Sequence, residues 1–303
     1  MSVEALKIMI VGLENVGKTS ILLTLEKKYS LLGGLTPTKG IERTTFKIFG
    51  YTVSAWDLGG QEAYRKGYLK KEIFFEQTDL FLFAIDVKEP KNYDLALDYY
   101  QKILELFTEL KMKVPIIILL NKVDPDIKDS PEIRKNIKIL RDLFMEGSED
   151  FQVDFFETSI WDLWSLTKAF SSGLVRLSTK AEVLSSLLSE FAKKIMANAI
   201  ILLNQNGYLL AEYANNEISA FLCQSISTQS LYMYLVMKER DIRPLKITID
   251  VKDGFILFRD VTIQDDQFFM IFYSKVNRSL ELFQDYFPKF AEQTKDLFKF
   301  FFT

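Results

Sequence analysis

Gly12-Leu13-Glu14-Asn15-Val16-Gly17-Lys18-Thr19 fits the pattern G-x-x-x-x-G-K-[ST] between an apolar run and a helical one. Glycines at those two positions let backbone N–H groups wrap around phosphates, and a helix that begins at the lysine points its positive end at them. Lys18 is expected between the β- and γ-phosphates, with Thr19 giving its hydroxyl to Mg²⁺ and Glu14, Asn15, Val16, Gly17 and Ser20 lining the nucleotide. Asp57-Leu58-Gly59-Gly60-Gln61 ends a second apolar run. There Asp57 reaches the metal through a water, Gly60 offers its N–H to the γ-phosphate, and Gln61 orients an attacking water. In Asn121-Lys122-Val123-Asp124, a carboxylate at Asp124 accepts two hydrogen bonds from the guanine N1–H and 2-amino edge. Adenine has no such pair of donors, and a site built around such bonds rejects the wrong base. Thr38, in Thr36-Pro37-Thr38-Lys39-Gly40, is the expected switch threonine that completes the Mg²⁺ shell and senses the γ-phosphate. Ser159 and Ile160, in Thr158-Ser159-Ile160-Trp161-Asp162, bring backbone N–H groups toward the guanine O6, with Ser159 or Thr158 also suited to cap the helix that follows. Lys18, Thr38 and Gln61 are therefore the candidate catalytic residues, and Thr19, Thr38 and Asp57 the candidate metal ligands.

The elements that must hold these residues read as alternating strands and helices. Leu6 to Val11, Val53 to Trp56, Leu80 to Ile85 and Ile116 to Leu120 are continuous apolar runs, as strands buried on both faces require. Between them, Thr19 to Tyr29, Tyr93 to Leu110 and Glu132 to Met145 have helical spacing. The alternation predicts a doubly wound α/β domain over residues 1–178, with a mostly parallel six-stranded sheet. Gly50-Tyr51 predicts a hairpin between Thr44 to Phe49 and Val53 to Trp56 that leaves one antiparallel strand at the edge.

The pattern changes near Ser178. Val183, Leu184, Leu187, Leu188, Phe191 and Ile195 repeat at helical spacing, and two strand-like runs then flank Gln205-Asn206-Gly207. A helical stretch from Glu217 to Lys238 follows. Lys246 to Val251, Phe255 to Arg259 and Phe268 to Tyr273 read as three more strands, before a last helix from Asn277 to about Phe300. Residues 179–303 are thus expected to form an α+β domain with a five-stranded antiparallel sheet. In the last helix Leu280, Phe283, Phe287, Phe290 and Leu297 form a core-facing stripe, whereas the terminal Phe298, Phe300, Phe301 and Phe302 suit a partner surface.

Composition narrows the classes. The chain has 303 residues, 48% hydrophobic and 26% charged, a balance that folds into compact domains. A net charge of −3 gives no electrostatic footprint for nucleic acid. No run approaches the roughly 18 apolar residues of a membrane span, and Ser2 does not fit the myristoylation pattern, so any membrane contact is expected to be indirect, through partners. Cys223 is the one cysteine and histidine is absent, which fits a reducing, cytoplasmic setting and removes histidine chemistry.

Taken together, the motifs resemble the small GTPase superfamily and cover the first half of the chain in order. Pro37-Thr38-x-Gly40 and Trp56-Asp57-Leu58-Gly59-Gly60-Gln61-Glu62 look like the Arf group. Thr158 to Asp162, followed by Lys168-Ala169-Phe170-Ser171-Ser172, is similar to the Rag/Gtr GTPases, which also carry a roadblock-type C-terminal domain. Segment 188–213 is similar to how that domain begins. Two departures stand out: Rag proteins commonly have His at the position of Asn121, and Glu14 stands where Ras-type proteins have glycine. The resemblance implies a GTP/GDP switch with Mg²⁺ and slow hydrolysis. Its partners would be a homo- or heterodimer mate through the roadblock or longin-like domain, a roadblock-type protein, and a GAP or exchange factor. A nucleotide-gated scaffold with negligible hydrolysis and an Arf-like trafficking GTPase stand as alternatives.

Overall fold

A computed structural model describes residues 6–25, 40–48, 51–58, 61–62, 67–68, 72–148, 151–177, 180–205, 207–242, 244–264 and 266–298. Apart from the short stretch 48–50, which is grouped with the second, the chain divides after Leu177 into two compact units.

In the first unit the continuous apolar runs become the centre of a six-stranded sheet. Its strands are β1 (Leu6–Val11), β2 (Ile41–Ile48), β3 (Tyr51–Leu58), β4 (Leu80–Asp86), β5 (Ile116–Asn121) and β6 (Val153–Thr158). They lie in the order β2-β3-β1-β4-β5-β6, with β3, β1, β4, β5 and β6 parallel and β2 at the edge as the antiparallel strand. Every residue of β4 and β5 is buried. Apolar side chains on both faces of a strand need cover on both, which the connecting helices supply. These are α1 (Lys18–Leu25), α2 (Tyr93–Glu109), α3 (Pro131–Glu146) and α4 (Leu163–Arg176).

Helix α3 shows how local sequence fixes such an element. Ser130 caps it by accepting from the Ile133 N–H, Pro131 opens its first turn, and Ile133, Ile137, Leu140 and Phe144 form its buried stripe. Phe144 then packs with Tyr100 of α2 at 5.1 Å between ring centroids and with Phe83 of β4 at 5.8 Å. In α4, Gly173 brings the helix onto the sheet: a Cβ there would meet Leu80 Cδ2 at 2.5 Å. That contact accounts for a glycine inside a helix, where it costs about 1 kcal/mol relative to alanine.

Registers place the carboxyl ends of the parallel strands together, with Ile10 opposite Asp57, Asp86 opposite Asn121, and Asn121 opposite Thr158. In open α/β sheets this edge is where ligands bind.

The second unit contains α5 (Lys180–Lys194), β7 (Ala199–Asn204), β8 (Leu209–Ala214), α6 (Glu217–Lys238), β9 (Lys246–Val251), β10 (Gly254–Ile263), β11 (Asp266–Ser274) and α7 (Ser279–Phe298). The sheet order is β8-β7-β11-β10-β9, all neighbours antiparallel. Side chains alternate between its faces. Phe258 and Phe269 meet Tyr234 of α6 on one, while Phe272 stacks on Phe283 of α7 on the other at 5.5 Å. Phe191 of α5 stacks on Phe290 of α7 at 4.7 Å.

Several boundaries differ from the sequence expectation. β10 continues to Ile263 although Asp260 and Thr262 interrupt its apolar run. Asp260 is accommodated because its Oδ2 accepts from Tyr234 Oη and from Gln267 Nε2, the latter at 2.8 Å. Helix α7 starts at Ser279 rather than Asn277, and Leu280, Phe287 and Leu297 are half-buried around the buried Phe283 and Phe290. Val183 is 49% exposed, because the inward stripe of α5 runs through Ala181, Leu184, Leu188 and Phe191. The side chain of Phe298, and Phe300, Phe301 and Phe302 altogether, lie outside the described residues.

Candidate nucleotide-binding site

The loop between β1 and α1 has the backbone that its sequence requires. Gly12 has φ +153°, and a Cβ there would lie 2.3 Å from the Ala84 carbonyl oxygen. Gly17 has φ +93°, and a Cβ would lie 2.8 Å from Asn121 Nδ2. Both positions therefore exclude side chains, one for strand packing and one for the approach of the Asn121 amide. Asn15 turns the loop with φ +61°, a left-handed conformation that asparagine tolerates. Lys18 opens α1 and is buried, its Nζ donating to Leu13 O at 2.9 Å and to Gly12 O at 3.2 Å, so the ammonium lies within the curl of the loop. Thr19 and Ser20 follow in the first turn of α1, both half-buried. Glu14 and Asn15 are exposed and Val16 is buried.

The Asn121 motif meets this loop directly. Asn121 Nδ2 donates to Val16 O at 2.7 Å, and Asn121 Oδ1 accepts from Thr158 Oγ1 at 3.1 Å. Lys122, with φ +66°, turns its Nζ to Asn15 O at 2.7 Å and to Asp86 Oδ2 at 2.6 Å. Asp124 accepts from Ser159 Oγ at 2.7 Å and from Lys88 Nζ at 2.9 Å. Burial pushes its carboxyl pKa upward. The hydrogen bonds from Lys88 and Ser159, with the charges of Lys88 and Lys122, outweigh that and hold it below the ordinary value. Val123 N–H donates to Thr158 O at 3.1 Å, joining the segment after β5 to the end of β6.

Ser159 and Ile160 lie where expected, at the exit of β6, but neither Ser159 nor Thr158 caps the following helix. Asp162 does, accepting from the Ser165 N–H at 3.3 Å. The Ser159 hydroxyl is used twice already, donating to Asp124 and accepting the Trp161 N–H at 3.1 Å, which frees the helix start to a residue three positions on.

Of the residues expected to act as switches, Gln61 is half-buried at the exit of β3. Tyr68 Oη donates to Gly40 O at 2.6 Å, linking the segment after Gln61 to the start of β2. Thr38, Gly60 and the side chain of Asp57 lie outside the described residues. Among the described residues there is no group of three or more His, Cys, Asp or Glu that could hold a metal by itself. An ion here would be shared between protein and phosphate oxygens, a donor set that suits Mg²⁺.

Asp86, Lys88 and Tyr93 were not singled out by motif. Asp86 is the last residue of a strand otherwise apolar throughout, opposite Asn121 in register. A carboxylate at the carboxyl end of a parallel strand, next to the strand bearing the base motif, was the signal that could have found it.

The chain is similar to known proteins over much of its length. The family model for the Gtr1/RagA G protein conserved region matches residues 7–230, well over half of the 303-residue chain. GTP-binding protein gtr1 of Schizosaccharomyces pombe is 28% identical over 220 residues, which cover 70% of this chain and 69% of that protein. Ras-related GTP-binding protein B of Rattus norvegicus is 28% identical over 197 residues, 61% of this chain and half (50%) of its own length. A solved structure, the Arl6 BBS3 small GTPase from Trypanosoma brucei with bound nucleotide analogue GppNp, covers 57% of this chain and 98% of its own with 18% identity and a TM-score of 0.46. A glycine-lined loop closed by Asn121 and a carboxylate held ready at Asp124 thus occur in a chain whose matched region runs from the first strand into α6, and the chain belongs to the Gtr1/RagA G protein family.

Proposed function

We propose that this protein is a molecular switch that binds GTP and GDP with Mg²⁺, hydrolyses GTP slowly, and signals through the segments around Thr38 and Gln61. The observation that carries this reading is the junction of Asn121 Nδ2 with Val16 O, which sets the base-reading Asp124 beside the phosphate loop. Thr19, with Thr38 and Asp57 through water, would hold the Mg²⁺, whose chemistry is to neutralise charge on the β- and γ-phosphate oxygens. Lys18 would take the β/γ-phosphates, and Gln61 would orient water. Arg43 has its guanidinium 3.7 Å from the Trp56 ring centroid, and this reading assigns it no part in hydrolysis. An arginine supplied in trans by an activating protein adds roughly 10³–10⁵ in rate to such sites. Release of the bound nucleotide from purified protein, followed by chromatography, tests this: guanine nucleotide is expected, and adenine nucleotide or retention by Lys18→Ala would overturn it.

Residues 179–303 serve, in this reading, as a roadblock-type domain that pairs with a domain of the same kind, in a homo- or heterodimer. Support comes from α6, which carries large apolar residues on two opposite faces. Cys223, Ser227 and Tyr234 face the sheet, while Ile218, Phe221, Tyr232 and Val236 are exposed along the opposite side. A helix of that kind is made to be covered twice. Strand β9 ends the sheet order, and an edge strand presents backbone groups with which a partner can pair. Multi-angle light scattering on the full chain is expected to give a dimer, alone or after co-expression with a related G protein. The setting we infer is cytoplasmic, with membrane recruitment through partners. Among the described residues no helix is long and apolar enough to cross a membrane.

A further inference from the structure

The segment leaving β4 is tied down from several sides. Val87 N–H donates to Asn121 O at 3.1 Å, and Val87 O accepts from Tyr93 Oη at 2.6 Å and from Asn136 Nδ2 at 3.1 Å. Lys88 N–H donates to Asp86 Oδ1 at 2.9 Å, while Asp86 Oδ2 takes the Lys122 ammonium. The backbone of Lys88 is thus fixed by β5, α2 and α3 together. From that fixed base its side chain crosses to Asp124, Nζ to Oδ2 at 2.9 Å.

This makes the two oxygens of Asp124 unequal. Oδ1 accepts from a neutral hydroxyl, Ser159, and a carboxylate oxygen has a second lone pair to offer a ring N–H. Oδ2 faces a full cation, whose charge-assisted bond is the stronger kind. A guanine edge presents two adjacent donors, N1–H and the 2-amino group; both oxygens keep a second lone pair, but the donor that meets Oδ2 finds its charge already drawn toward a cation and its approach crowded by the ammonium. Hypoxanthine presents N1–H alone and can use Oδ1 while Lys88 stays in place.

We propose that Lys88 sets the strictness of base reading: its ammonium competes with the purine edge for Asp124 Oδ2 and narrows the preference for guanine over hypoxanthine. The proposal rests on Asp124 reading a guanine, as argued above. Lys88 is a positioning residue on the binding carboxylate. The pair is solvent-accessible, with the Lys88 side chain 41% exposed, so its effect is limited to about two- to fivefold.

The test measures affinities of the full-length protein, with Mg²⁺, for GDP, IDP and ADP in wild type, Lys88→Ala, Lys88→Gln and Lys88→Arg. In both Lys88→Ala and Lys88→Gln the GDP:IDP affinity ratio is expected to rise two- to fivefold, and Lys88→Arg to restore the wild-type ratio. A packing defect would move GDP and IDP together and leave the ratio unchanged. An unchanged or lower ratio in both neutral variants, with wild type still preferring GDP to ADP, overturns the role of Lys88 alone. Wild type with no preference for GDP over ADP overturns this inference and the guanine reading together.

Discussion

Asn121 Nδ2 donates to Val16 O across 2.7 Å, joining residues 105 positions apart in the chain, and both ends of this hydrogen bond are buried. The bond ties the loop between β1 and α1 to the end of β5, the two segments to which the proposed function assigns the phosphates and the base. Gly17 makes it possible, because a side chain at that position would collide with the amide.

Asn121→Ala should therefore loosen both halves of the site. It leaves Val16 O and Thr158 Oγ1 without their partner, and an orphaned buried polar group costs about 1–3 kcal/mol. Guanine-nucleotide affinity is expected to fall roughly 5- to 150-fold, with faster GDP release in a fluorescent-nucleotide chase. Unaltered release kinetics would show that the loop holds its shape without the asparagine.

Asp124→Asn should change which base is bound. Asn offers one acceptor and one N–H donor where Asp offers two acceptors, so it suits xanthine, whose C2 carries a carbonyl in place of the amino group. The preference for GDP over XDP is expected to reverse. In wild type the depressed carboxyl pKa keeps Asp124 ionised well into acid. Its contribution is present above the ordinary carboxylate pKa and is lost only as pH falls through the lower folded value. GDP affinity should then show no loss attributable to this group between pH 7 and about pH 4.5, and a midpoint near pH 5 that vanishes in Asp124→Asn would contradict the depressed pKa.

Much of the candidate site's arrangement is legible in the sequence. The glycine-rich loop, the Asn121 motif and the all-buried strands are local patterns in which residue type and spacing already say which segments come together. Less visible were features that depend on distant neighbours. Asp260 reads as a strand breaker until Tyr234 and Gln267 are placed beside it. Lys88 reads as one of many surface lysines until the carboxyl ends of β4 and β5 are aligned. The cap at Asp162 was misassigned to Ser159 or Thr158 because the Ser159 hydroxyl had another engagement, with Asp124, that no local pattern reveals.

Gln61→Leu tests catalysis apart from binding. A leucine cannot orient water, so single-turnover GTP hydrolysis should slow by about 10²-fold or more while GDP and GTP affinities stay close to wild type. Equal rates in wild type and variant would favour a scaffold that is gated by nucleotide without hydrolysing it.

Lys7 gives a pH test of the six-stranded sheet. Its Nζ donates to Phe74 O at 2.8 Å and Glu76 O at 2.7 Å and lies 4.1 Å from the centre of the Trp56 ring, which the Arg43 guanidinium also approaches, at 3.7 Å. Burial, then the charge of Arg43, lowers its pKa from 10.5 to about 8, against the opposing pull of Glu76 and Asp79. The folded protein therefore holds this proton less tightly than the unfolded chain does. Between pH 8 and 10.5 the unfolded state binds more protons at this site, so its linkage contribution raises stability as pH increases through that window. Denaturant midpoints measured from pH 7 to 10 should shift upward in wild type relative to Lys7→Met. Above pH 8 the neutral amine keeps a donor for Phe74 O and Glu76 O without the cost of a half-buried charge. Parallel pH profiles for the two proteins would show that Lys7 titrates as an ordinary surface amine and that Arg43 does not bear on it.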